Sequence, residues 1–92
     1  MGLKSMSKEN LKLLVLTNNL ILLSQIEEVS TDLGEPDCKL IEPFIVDHKT
    51  KELSPWFVDL TSQNIFMIHS DKILTAMEPN TKLVDKYESL LE

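Results

Sequence analysis

A chain of 92 residues is one domain with a modest core, burying roughly 60–65% of the surface its unfolded form exposes. Its 15 acidic residues outnumber 9 basic ones, all of them lysine, for a formal net charge of −6. The missing arginine and the acidic field argue against strong, non-specific nucleic-acid binding. One cysteine, Cys38, allows neither an intrachain disulfide nor a thiolate metal cluster, and is expected at a buried strand position.

Met1 to Asn10 is polar and carries no recognisable chemistry. It lacks the apolar run of a signal peptide, and no stretch approaches the ~20 apolar residues of a membrane span, so a cytoplasmic location without membrane partners is expected. Leu11 to Thr17 and Leu20 to Val29 are apolar runs separated by Asn18-Asn19. Asparagine tolerates positive φ, so the pair predicts a hairpin. A continuous helix over Leu11 to Val29 competes with this reading, and the Thr17-Asn18-Asn19 break opposes it. Ile26 and Val29 have opposite parity, which predicts a bulge or bend near Glu27-Glu28.

Ser30 to Asp37, with Gly34 and Pro36, reads as a loop. Cys38 to Val46 alternates, placing Cys38, Leu40, Phe44 and Val46 on one face. Pro43 inside that run marks an edge position or a kink. Asp47 to Glu52 is a charged turn in which His48 is expected to be solvated. Leu53 to Asn64 is irregular. Its Trp56 and Phe57 either tuck over the end of a barrel or present a contact surface to a partner.

Ile65 to Met77 is the most informative stretch. Phe66 and Ile68 alternate with Ile65, Met67 and His69, and Ile73, Thr75 and Met77 alternate with Leu74 and Ala76. Ser70, Asp71 and Lys72 form a tight polar connection between these two short strands. After Pro79, Asn80 or Thr81 can cap a helix whose apolar stripe is Leu83, Val84, Tyr87, Leu90 and Leu91. The domain is thus divided as a polar segment at 1–10, a β body at 11–79 and a helix at 80–92.

Catalytic machinery is not evident. The two histidines belong to no hydrolase signature, two glycines cannot build a phosphate loop, and adjacent Glu27 and Glu28 read as surface charge. No enzyme activity, catalytic residue, metal or cofactor is expected.

Ile68-His69-Ser70-Asp71-Lys72-Ile73 resembles the second Sm motif, Ile-Arg-Gly-Asp-Asn-Ile, at Ile68, Asp71 and Ile73. Ile73 to Pro79 resembles the last strand of the Sm-like family, and the combination is similar to short Sm-like proteins attributed to cyanophages. The resemblance covers Leu11 to Glu78. It implies a mostly β fold, a five-stranded, strongly bent open barrel, here followed by a short C-terminal α-helix. It also implies a homo-oligomeric ring of five to seven copies, with the host cytoplasm as the location of a phage-encoded member. Single-stranded RNA is the implied ligand, with other proteins as partners if RNA binding is lost.

The implied RNA site comprises His69, Ser70 and Asp71, facing Asp37 and Lys39. His69 would stack on a base and Asp71 would fix the turn. The implied subunit interface comprises Ile65, Phe66, Met67 and Ile68 on one strand with Ile73, Leu74, Thr75, Ala76 and Met77 on the other. Trp56 and Phe57 are the expected partner contacts. The family's stacking aromatic and base-reading Asn map onto Asp37 and Lys39, and its Arg maps onto His69, so ring assembly is expected to carry over better than RNA binding.

Overall fold

A computed structural model describes residues 10–57 and 60–91; most of the polar segment at 1–10 lies outside them. Six antiparallel strands and one helix make up the described chain. Leu11–Leu16 (β1) and Ile21–Glu28 (β2) form the expected hairpin. Asn19 takes a φ of 70° in the turn, and the Asn18 side chain accepts from the Leu20 amide at 3.1 Å. The short polar side chain makes the left-handed conformation accessible, and the break between the runs becomes a turn rather than a helix interior.

Cys38–Val46 (β3) pairs with β2. Leu53–Pro55 (β4) and Ile65–Ile68 (β5) both pair with β3, at different ends of it. Ile73–Met77 (β6) pairs with β1. The sheet order is therefore β4-β3-β2-β1-β6, with β5 beside β3. The sheet is open and has six strands rather than the expected five. The addition is β4, in the stretch expected to be irregular. Its Leu53 packs on the core, and Pro55, which cannot donate, sits on an outer strand opposite Phe44.

The bend lies elsewhere than expected. Pairing runs Leu23 with Phe44 and then Gln25 with Ile41, so Glu42 and Pro43 together oppose the single residue Ser24. This is a β-bulge in β3, not a distortion at Glu27-Glu28, which pair regularly with Lys39 and Cys38. Glu42 has a φ of 54°, and Pro43 has no amide hydrogen to lose from the interrupted ladder. The extra residue inverts the facing of β3. Leu40 belongs to one core with Leu14, Leu16 and Leu22, whereas Phe44 and Val46 belong to the other with Leu11 and Leu23. The expected common face of Leu40, Phe44 and Val46 is thereby corrected.

The sheet thus buries apolar side chains on both faces. Thr81–Leu91 (α1) covers one of them. Asn80 is its cap, its side-chain oxygen accepting from the Leu83 amide at 2.9 Å. Leu83 and Tyr87 are buried, and Val84 and Leu91 pack beside them, while Leu90 is exposed and leaves the expected stripe. Cys38 is buried and free, as its strand position suggested. Among the described residues, no helix is long and apolar enough to cross a membrane.

Candidate functional site

The turn between β5 and β6 is held from two sides. Ser70, Asp71 and Lys72 form one 3-10 turn, closed by the Lys72 amide donating to the His69 carbonyl at 3.1 Å. The Lys72 carbonyl accepts from the Thr17 amide at 2.9 Å, tying the turn to the β1–β2 hairpin. Asp37, at the entry to β3, holds the other side. Its Oδ1 accepts from the Ser70 amide at 2.8 Å and its Oδ2 accepts from Ser70 Oγ at 2.9 Å. Two donors on one residue stabilise the ionised carboxylate, so the Asp37 pKa is held below its ordinary value. The Ser70 amide contributes most, then the Ser70 hydroxyl, with His69 a lesser influence.

Asp37, Ser70 and His69, which the sequence grouped with Asp71 and Lys39, therefore meet at one place. The roles differ from expectation. Asp37, rather than Asp71, is the carboxylate that fixes the turn backbone. Asp71 is exposed within the 3-10 turn. His69 is half-buried in extended backbone, ahead of the turn. Lys39 lies opposite Met67 in the β3–β5 ladder, and its ammonium is 3.8 Å from Glu27, so its charge is partly matched. Next to Asp37, burial raises the Cys38 thiol pKa, and the charges of Asp37 and Glu28 add to the effect. That thiol is poorly suited to act as a nucleophile. The site offers an imidazole edge, a hydroxyl already committed to Asp37, a backbone hydrogen-bonded on both sides and one exposed ammonium, Lys72, outside both ion pairs found among the described residues.

The interface candidates occupy two separate margins of the sheet. Ile65 and Met67 on β5, and Leu74 and Met77 on β6, are exposed. Thr75 and Ala76 are exposed as well. Phe66 is half-buried, and Ile68 and Ile73 pack against the core of Leu14, Leu16, Leu22 and Leu40. Trp56 packs there too, and stacks on Phe57 with ring centroids 4.6 Å apart and planes at 22°. Phe66 lies 5.6 Å from Trp56 in a tilted arrangement. Phe57 is exposed and has a φ of 59°.

One polar cluster escaped the sequence. The bulge pulls the Ile41 and Glu42 carbonyls out of the β2–β3 ladder. Tyr87 of α1 reaches them, its hydroxyl lying 2.9 Å from the Glu42 oxygen and 3.2 Å from that of Ile41 while accepting from Gln25 Nε2 at 3.2 Å. The buried Ser24 hydroxyl shares its hydrogen between the Gln25 carbonyl at 2.8 Å and the Ile41 carbonyl at 3.1 Å. The only advance signal was a tyrosine in an otherwise aliphatic stripe, since a buried phenol needs a partner.

No curated protein matches the sequence. A model of a family of unknown function (DUF6561) matches residues 9–92, nearly the whole chain including both the clamped turn and the helix, and the chain belongs to that family.

Proposed function

We propose that the protein assembles as a homo-oligomeric, Sm-like ring that binds single-stranded RNA weakly at the turn between β5 and β6. The observation that carries this reading is the separation of those two strands. Four residues join them, yet β5 runs along β3 and β6 along β1, and each has one bonded neighbour among the described residues. An Sm-like barrel needs its last two strands at such edges. An unpaired edge exposes a row of amides and carbonyls that another chain can bond. Pairing β5 of one copy with β6 of the next would satisfy both rows and cover Ile65, Met67, Leu74 and Met77. The contact is head-to-tail, so it repeats until the rotation closes a ring.

The RNA component rests on the clamp. Asp37 fixes Ser70 and so presents His69 at a defined place, where an imidazole can stack on a base. Repetition around a ring would add many weak sites. The match of Lys39 to Glu27 and the net charge of −6 favour few phosphate contacts, hence a shallow salt dependence. Native mass spectrometry with short oligo(U) and oligo(A) tests both components. A closed multimer carrying oligonucleotide is expected, with binding reduced in the His69→Ala variant. A monomer at micromolar concentration counts against the ring. A closed multimer whose affinity is unmoved by His69→Ala counts against the RNA site.

A second reading, a ring that contacts proteins instead of RNA, is favoured by the exposed Phe57 ring stacked on Trp56. There the multimer stays bare of oligonucleotide, and Phe57→Ala loses the partners that the wild type retains in a pull-down.

A further inference from the structure

The face of the sheet that α1 covers is left open near the start of the helix. There a hollow of about 810 Å³ has an aliphatic floor of Leu13, Val15, Ile21, Val46 and Leu83. This volume lies within the roughly 300–1,000 Å³ of typical small-molecule sites. Lys51, Lys82, Lys86 and His48 stand around it, and neither Asp nor Glu lines it. In a chain with 15 acids and 9 lysines, that concentration of one sign is unusual.

These lysines keep their charges available. Lys86 Nζ donates to the Lys51 carbonyl at 2.9 Å, and Lys51 Nζ donates to the His48 carbonyl at 2.8 Å. Their partners are neutral oxygens. The ion pairs among the described residues, Lys12–Glu78 and Lys39–Glu27, involve neither of them, nor Lys82. Asp47, beside His48, has its Oδ1 engaged by the Lys49 and Thr50 amides of its own turn.

We propose that this hollow binds an alkyl chain ending in a single anionic group, a medium-chain carboxylate being the simplest case. The aliphatic floor takes the chain, and the lysines meet the head group at the mouth. The lining contains no aromatic ring other than the His48 imidazole at the rim, which disfavours a nucleobase ligand. The helix N-terminus is not the anion site, because Asn80 already caps the Leu83 amide. The proposal does not rest on the ring or RNA readings, although Met77 lines the hollow and also belongs to the edge that the proposed ring would cover.

The test is a titration of the full chain with decanoate and, separately, decyltrimethylammonium, below their micelle concentrations. Methyl NMR signals of Leu13, Val15, Ile21 and Val46 are the readout. Decanoate is expected to shift them saturably while the cationic analogue does not. Lys82→Glu combined with Lys86→Glu should weaken decanoate by roughly tenfold, the scale of a lost charged contact. No saturable shift with decanoate overturns the proposal. Equal binding of both amphiphiles also overturns it, since the lysines would then recognise nothing. Shifts that follow protein concentration alone, unchanged by decanoate, replace it with a second copy seated on the hollow.

Discussion

At the scale of single residues, the clamp between Asp37 and Ser70 has the clearest consequence. Its two hydrogen bonds lower the Asp37 pKa from the ordinary value of 3.8, with the Ser70 amide the larger cause. A carboxyl whose folded pKa lies below its unfolded one contributes stability that is whole above the unfolded value and is lost as pH falls through the folded one. The wild type should therefore exceed Asp37→Asn in urea resistance at pH 7, and the gap should narrow as pH falls from 3.8 toward the folded pKa. Asp47, also lowered, chiefly by the Thr50 and Lys49 amides, keeps both proteins acid-sensitive, so the comparison and not the absolute curve isolates Asp37. A gap that stays constant from pH 7 to pH 3 would refute the clamp. Local pattern showed Ser70 to Lys72 as a turn, while Asp37 was set beside it only by the family resemblance. Which carboxylate accepts was not legible in the sequence, because Asp37 and Asp71 are equally polar loop residues and only the β3–β5 register brings Asp37 onto Ser70.

At the scale of elements, the bulge in β3 decides most of the architecture. It inverts the facing of β3, divides its outer edge between β4 and β5, and frees two carbonyls that Tyr87 then meets. The hairpin, the two strands around the polar turn and the capped helix could be read from local pattern, since each depends on neighbouring residues. The bulge could not. Its signal, Glu42-Pro43, is a proline that also fits an edge strand, and the residue it opposes, Ser24, is 18 positions away. For the same reason Leu53–Pro55 did not read as a strand: three residues ending in proline have no alternation of their own and pair only because β3 offers an edge there. The lock between helix and bulge gives a prediction. Tyr87→Phe keeps the ring that packs edge-on against Phe44 at 5.5 Å but removes the hydroxyl. Burial leaves the Glu42 carbonyl short of a donor, which costs about 1–3 kcal/mol, while the Ile41 carbonyl keeps the Ser24 hydroxyl. The urea midpoint should fall accordingly with an unchanged m-value. A shift below about 0.5 kcal/mol would mean that water replaces the phenol.

At the scale of the whole molecule, an open sheet with α1 on one face leaves strand edges without a bonded neighbour among the described residues at two margins, and the apolar side chains there are exposed rather than replaced by charge. Met67 on β5 and Leu74 on β6 are among the more exposed large apolar side chains described. Natural edges that must stay unpaired carry lysine, proline or short strands. Here the only device of that kind is length, with β5 at four residues and β6 at five. A proposed edge-to-edge contact can be broken by supplying the missing charge. Met67→Lys and Leu74→Lys each place an ammonium where the neighbouring strand would lie, and both positions are exposed, so folding stability should change by no more than about 0.5 kcal/mol. If the proposed ring forms, each variant alone should turn it into a monomer in light scattering while the far-ultraviolet circular dichroism stays that of the wild type. Because a head-to-tail ring uses one β5 and one β6 at every junction, mixing the two variants should restore at most a single good junction per pair, joining the intact β6 of one to the intact β5 of the other. The mixture should therefore give dimers and no closed ring. A multimer that survives both substitutions would move the contact away from these margins, and a closed ring from the mixture would show that the two edges do not meet each other.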